Sequence, residues 1–181
     1  MFKKLKLSQR EVGLTRSFLL IRITLYFFTV PLLRMIFPRS PLVPFSADTE
    51  GLYGRLWKNL FVFDAAQLGY PAMDGGYFSE LNHAFYPMFP TIAYQFAKLF
   101  GDEHLMYVGL VLSLLQSYVN TLLIYRIGVL MYGKRDLAEL AAYLYIASHS
   151  VLYQITFYSE NTFLMCTLLG FYFIYKSQPV T

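Results

Sequence analysis

The sequence predicts an all-α integral membrane protein, and its composition and apolar runs point to this class. Apolar residues make up 56% of the 181 residues and charged residues 14%, against about 45–50% and about 25% in soluble domains. The 17 Phe and 16 Tyr residues are of types that collect at membrane interfaces. We expect a single membrane domain over residues 1–181, with about four transmembrane helices plus lumenal interfacial helices.

Basic residues gather ahead of the first apolar run. Five of the 15 Lys and Arg residues lie in the first 16 positions, which typically orients a span with this flank in the cytoplasm. We interpret them as an orientation signal and expect no nucleic-acid partner. The first span is predicted over residues 17–37. Within it, Arg22 either extends back to the interface or faces a polar cavity and pairs with an acid or a phosphate.

Residues 38–104 form a predicted lumenal loop that holds seven of the 11 acidic residues. Apolar residues recur at helical spacing over 51–63 and 88–100, which is typical of helices lying on a membrane surface. The segment 88–100 would rise about 20 Å, less than the roughly 30 Å of the hydrocarbon core. We therefore predict that it lies in the interface.

Further spans are predicted over residues 105–131, 137–156 and 161–175. Four polar residues in the first of them recur at positions i, i+3, i+4 and i+7, namely Ser113, Gln116, Ser117 and Asn120. Inside a bilayer such a stripe usually packs against another helix. The positive-inside rule then places both termini in the cytoplasm and Glu160 on the lumenal side with the acidic loop. Cys166, alone in an apolar run, is expected to be buried.

Asp64 is the candidate general base. It follows an aromatic residue at the end of the predicted helix 51–63, in the zone where a lipid-linked sugar donor would present its anomeric carbon. Glycosyl transfer to a hydroxyl needs a carboxylate that accepts or orients the attacking proton. From spacing alone, the alternative is a solvent-exposed aspartate at a helix end.

Three further polar residues are candidates for substrate binding. Glu80 either pairs with nearby charges or orients the loop, and His83 could contact a sugar hydroxyl or a phosphate. Their spacing is weak as a metal site, and we expect neither a metal nor another cofactor. Glu160, inside an apolar hairpin, is either exposed to water at the tip of a loop or a second acid at the lumenal face.

Several motifs, in this order, resemble the GPI mannosyltransferase 2 (PIG-V type) family: Phe63-Asp64-Ala65, Gly76-Tyr77 with Glu80, Ala84-Phe85-Tyr86-Pro87, Phe89-Pro90 and Tyr158-Ser159-Glu160. The family has Trp where this chain has Phe63, and Arg22 matches a basic position in its first helix. The resemblance covers nearly the whole chain. Family members run to several hundred residues, so it extends over their N-terminal part only.

The resemblance implies a partial GT-C-type glycosyltransferase fold in the endoplasmic reticulum membrane, with its active face lumenal. The implied reaction transfers the second, α1,6-linked mannose from dolichol-phosphate-mannose to the GPI precursor glycolipid, here in a shortened form of the enzyme. Asp64 would be catalytic, and the substrate-binding residues would be Glu80, His83, Glu160, Tyr77 and Arg22. Two alternatives stay open: a non-catalytic scaffold that stabilises a membrane-protein partner, or a related GT-C enzyme with another acceptor.

Overall fold

The computed structural model describes residues 7–29, 68, 87–101, 104–148 and 158–177. Every regular element in these ranges is helical, which confirms the all-α class. The helices are α1 (Gln9–Thr24), which continues into a π-helical turn (Leu25–Thr29), α2 (Met88–Ala97), α3 (Leu105–Tyr132), α4 (Arg135–Ile146) and α5 (Glu160–Ser177). The predicted helix 51–63 lies outside the described residues.

The first helix begins earlier than the predicted span because its sequence carries a capping box. The Ser8 hydroxyl accepts a hydrogen bond from the Glu11 backbone N–H at 3.3 Å, and the Glu11 carboxylate accepts one from the Ser8 N–H at 2.7 Å. These bonds satisfy N–H groups that a helix start leaves unpaired. The buried side chains of α1 then form one narrow stripe: Glu11, Leu14, Phe18 and Arg22.

The central element is α3, which contacts each of the other four described α-helices. Its 28 residues rise about 42 Å. Among the described helices it is the one that is long and apolar enough to cross a membrane, over Tyr107–Tyr132. A core helix of a soluble protein can share that length and composition, so all four spans, that of α3 included, and the GT-C fold stay predictions.

Helices α1 and α4 run opposite to α3, whereas α5 runs with it. Gly133, in the left-handed conformation at φ 64°, ends α3 and lets the chain turn back into α4. The start of α1, the last turns of α3 and the start of α4 therefore meet at one end of the bundle. We call this the charged end and define it by Arg10, Glu11, Arg126, Asp136 and Glu139, which form three ion pairs there.

Helices α3 and α4 pack at very close range. A Cβ atom added to Gly128 would lie 2.8 Å from the Ala138 Cβ atom, and real Cβ atoms do not approach so closely. An apolar cluster of α1, α3 and α4 side chains adjoins this contact. It comprises Leu14, Phe18, Tyr125, Ala138, Ala142 and Ile146.

Large apolar side chains also cover the outside of the bundle. Phe28 of the π-helical turn is 71% exposed, Leu144 of α4 is 64% exposed and Phe163 of α5 is 63% exposed. Soluble monomers rarely expose extensive apolar surface. This exposed surface agrees with the membrane class that the composition predicts.

The structure differs from the sequence-based predictions at the ends of two helices and in the exposure of one side chain. Helix α4 ends at Ile146, within the predicted span 137–156, and α2 ends at Ala97, within the segment 88–100. The prediction that Cys166 is buried is wrong, because the side chain is exposed. Helix α5 buries Asn161 and Thr162 in its first turn, so an apolar neighbourhood in the sequence did not determine which face packs.

Candidate functional site

A layer of polar side chains lies where the middle of α3 meets the last turns of α1 and α4 and the first turn of α5. We call it the polar layer. It comprises Arg22 from α1, Ser113, Gln116, Ser117, Asn120 and Thr121 from α3, Tyr145 from α4, and Asn161 and Thr162 from α5. All of these except the half-buried Tyr145 are buried. Because buried polar groups cost free energy unless they are hydrogen-bonded, their bonds determine how the helices fit together.

Hydrogen bonds join the first turn of α5 to the polar stripe of α3. The Asn161 side-chain amide donates to the Ser113 carbonyl at 3.1 Å, and the Asn120 amide donates to the Asn161 carbonyl at 3.1 Å. The Thr162 hydroxyl donates to the Gln116 side-chain oxygen at 3.0 Å. The interpretation of the stripe as a helix-packing face is therefore confirmed.

Arg22 brings a positive charge into this layer. Its side chain is 2% exposed, and its Nη2 atom donates to the Ser117 hydroxyl at 3.0 Å. The guanidinium also lies 4.8 Å from the centroid of the Phe18 ring, a distance at which a cation and an aromatic face attract. Of the two orientations expected from the sequence, Arg22 thus adopts the interior one.

Tyr145 connects Arg22 with the α3–α5 contact. Its hydroxyl hydrogen-bonds with Ser117 and with Asn120, and it lies close enough to Arg22 to sense its charge. The Asn120 amide is 3.5 Å from that hydroxyl. A continuous hydrogen-bonded path therefore runs from the guanidinium to the first turn of α5.

The polar layer has the chemistry of a binding site for an anion. A guanidinium presents a planar fork of N–H donors that matches phosphate geometry, and hydroxyl and amide groups can complete the coordination. The described part of the layer contains one cation and no carboxylate or imidazole. These residues can therefore hold and orient a negatively charged group, whereas proton transfer would need a residue from elsewhere.

Glu160 lies beside the layer without belonging to its buried part. It is the first residue of α5 and is exposed. The first turn of a helix favours a negative charge because the backbone N–H groups there carry partial positive charge. Asn161, the next residue, connects this turn to Ser113, so Glu160 is adjacent in the chain to the hydrogen-bonded network that includes Arg22.

The remaining predicted site residues fall outside the described residues. These are the catalytic candidate Asp64 and the substrate-binding candidates Tyr77, Glu80 and His83. Within the described ranges, no group of three His, Cys, Asp or Glu side chains is placed to hold a metal ion.

Sequence reasoning missed Tyr145, Asn161 and Thr162. A signal existed for the two α5 residues, because Asn161 and Thr162 directly follow Glu160 and share its break in an apolar run. Tyr145 gave no signal, since it is one of 16 Tyr residues and its role depends on where α4 ends.

Comparisons of the chain with protein-family models, with curated proteins and with solved structures find no match.

Proposed function

We propose that the chain is a membrane-embedded mannosyltransferase that uses dolichol-phosphate-mannose and acts on the GPI precursor at the lumenal face of the endoplasmic reticulum. The observation that carries the proposal is the burial of Arg22 inside the bundle, where its Nη2 atom donates to the Ser117 hydroxyl. A guanidinium in this position can bind the phosphate of a lipid-linked sugar through charge-assisted hydrogen bonds. Mannose as the sugar and the GPI precursor as the acceptor are proposed from the family resemblance of the motifs around Asp64.

The depth of the polar layer supports this proposal. If Tyr132 marks the cytoplasmic boundary, about 30 Å of hydrocarbon core corresponds to about 20 residues of α3. Counting back from Tyr132 by this length reaches Ser113. On this count Ser113 would lie at the lumenal boundary and Ser117, which binds Arg22, about 6 Å inside it, so the donor phosphate would have to reach this depth.

In the proposed reaction, the acceptor hydroxyl oxygen forms a bond to the anomeric carbon of mannose. The bond from that carbon to the phosphate oxygen breaks, and dolichyl phosphate leaves with an additional negative charge. Arg22 and its hydroxyl and amide neighbours stabilise this developing charge. Asp64 accepts the proton of the acceptor hydroxyl.

Complementation tests this function. The chain and its Asp64→Asn variant are expressed in cells that lack the second GPI mannosyltransferase, and GPI-anchored proteins are measured at the cell surface. We expect restoration by the unmodified chain and a loss on the order of 10²–10⁴-fold in transfer rate for Asp64→Asn, at equal abundance in the membrane. Full restoration by Asp64→Asn would contradict the catalytic role of Asp64.

Stable insertion of the unmodified chain without any restoration would contradict the proposal itself. It would favour the non-catalytic alternative, in which the scaffold stabilises a membrane-protein partner. Restoration of a different dolichol-dependent glycan pathway would instead favour the related enzyme with another acceptor.

A further inference from the structure

A groove with basic walls opens at the charged end of the bundle, between the starts of α1 and α4 and the ends of α3 and α5. Its volume is about 590 Å³, within the range of about 300–1,000 Å³ that is usual for sites binding small molecules. Four cationic side chains line it, namely Arg10, Arg126, Arg135 and Lys176, together with one carboxylate, that of Glu11. We call it the basic groove.

Two of these cations are already engaged with carboxylates. Arg10 contacts Asp136 and Glu139, and Arg126 donates to Glu11 at 2.7 Å. These pairs fix the walls of the groove.

The other two cations, Arg135 and Lys176, form no ion pair with the described residues. Both are exposed. Arg135 is the first residue of α4, whereas Lys176 belongs to the last turn of α5 and lies 5.5 Å from the centroid of the Tyr172 ring. The groove thus presents positive charge from two different helices toward one cavity.

The groove also has an apolar side. Val129 and Leu130 of α3 and Tyr172 of α5 contribute to its lining, and Leu130 is 44% exposed. Cationic groups beside apolar and aromatic surface suit a molecule with a charged head and a hydrocarbon tail. Basic pockets between helices on the cytoplasmic side of a membrane are suited to anionic lipid headgroups.

We propose that the basic groove binds the phosphate of an anionic phospholipid headgroup, with the acyl chains running along Val129 and Leu130. The site is separate from the proposed active site. Arg126 and Ser113 are 13 positions apart on α3, which is about 20 Å of helix. The proposal therefore stands whether or not the chain transfers mannose.

The test uses the purified full chain in detergent micelles and counts bound lipids by native mass spectrometry. The probes are phosphatidylglycerol, which is anionic, and phosphatidylcholine, which has a phosphate but no net charge. Inorganic phosphate in large excess serves as a competitor and distinguishes a lipid headgroup from a free phosphate.

The diagnostic variant is Arg135→Gln with Lys176→Gln, since neither residue forms an ion pair with another described residue. Each cation near a membrane surface changes lipid affinity by about fivefold, so we expect about a 25-fold loss of phosphatidylglycerol binding. The control is Arg16→Gln with Lys134→Gln, which removes the same charge from exposed positions that do not line the groove. For the control we expect less than about a fivefold loss.

We expect the unmodified chain to prefer phosphatidylglycerol over phosphatidylcholine and to keep it in the presence of inorganic phosphate. Equal loss in the diagnostic and control variants would overturn the proposal, because it would show a diffuse attraction. Equal binding of the two lipids, or displacement by inorganic phosphate, would overturn it as well. Thermal unfolding of each variant, measured in parallel, identifies any loss that comes from misfolding.

Discussion

The charged end and the polar layer use buried and half-buried polar groups in opposite ways. At the charged end, Arg10 and Arg126 each have carboxylate partners, so the charges largely cancel where water is close. In the polar layer, the groups that the described helices place around Arg22 are hydroxyls and amides. These groups hydrogen-bond with one another and carry no charge. The charged end thus joins its helices through ion pairs, whereas the described part of the polar layer joins them through hydrogen bonds among hydroxyl and amide groups and the Arg22 guanidinium.

The close packing of α3 against α4 at the charged end should respond most strongly to mutation. Gly128→Val would place atoms within 3 Å of Ala138, forcing α3 and α4 apart. Overpacking costs about 1–3 kcal/mol, and we expect a value near 3 kcal/mol in detergent unfolding. The matched control is Gly170→Val on α5, where an added Cβ meets no atom within 4 Å. A similar loss in both variants would show that the effect reflects valine in a helix and not this contact.

Breaking the polar layer should have the next largest effect. Asn120→Leu removes the donor to the Asn161 carbonyl and leaves that buried group without this bond. The substitution also removes the bond from Asn120 to the Tyr145 hydroxyl. Because each hydrogen bond contributes about 0.5–1.5 kcal/mol, we expect a loss of about 2 kcal/mol. Thr167→Ala is the control, because the Thr167 hydroxyl bonds within its own helix and is exposed. A neutral Asn120→Leu variant would contradict the role of the layer in joining α5 to α3.

The ion pair of Glu11 should show a smaller, pH-dependent effect. Burial opposes ionisation of Glu11, but hydrogen bonds from the Ser8 backbone and from Arg126 outweigh it and lower the pKa of this carboxyl below its ordinary value of 4.5. Its contribution is therefore present above about pH 4.5 and is lost as pH falls through the lowered pKa. We expect Glu11→Gln to cost about 1 kcal/mol at pH 7.

Unfolding of the unmodified chain and of Glu11→Gln between pH 3 and pH 7 tests this assignment. The stability difference should shrink as the medium becomes more acidic. A difference that is constant across this range would contradict the link to ionisation of Glu11.

Arg10 should matter least. Its partner Asp136 is 92% exposed, and ion pairs in water contribute little because solvent and salt screen them. We expect Arg10→Gln to unfold almost as the unmodified chain does, with any difference vanishing at high salt. A large loss that persists at high salt would show that the charged end stabilises the fold more than its exposure implies.

The sequence predicted the parts of the fold that depend on periodicity. The stripe from Ser113 to Asn120 was identifiable because four polar residues share one face of an apolar helix, and its packing role follows from the cost of polar groups in hydrocarbon. The sequence alone could not show that Tyr145 would join the stripe, since this depends on α4 ending at Ile146.

The orientation of Arg22 was also open in the sequence. A long basic side chain near a membrane boundary can reach water or turn inward, and the choice depends on the neighbours that tertiary structure supplies. Ser117 and Phe18 are those neighbours here. Likewise, nothing in the apolar run around Cys166 indicated which face of α5 would pack.

In the proposed function, Arg22 holds the phosphate of a dolichol-linked donor. Binding of dolichyl phosphate, the product that carries this phosphate, to the purified chain in micelles tests it most directly, with Arg22→Met as the variant and Arg16→Met as the control. Charge-assisted hydrogen bonds contribute about 1.5–3 kcal/mol, so Arg22→Met should bind at least about tenfold more weakly while Arg16→Met binds normally. Unchanged affinity in a folded Arg22→Met protein would contradict the account.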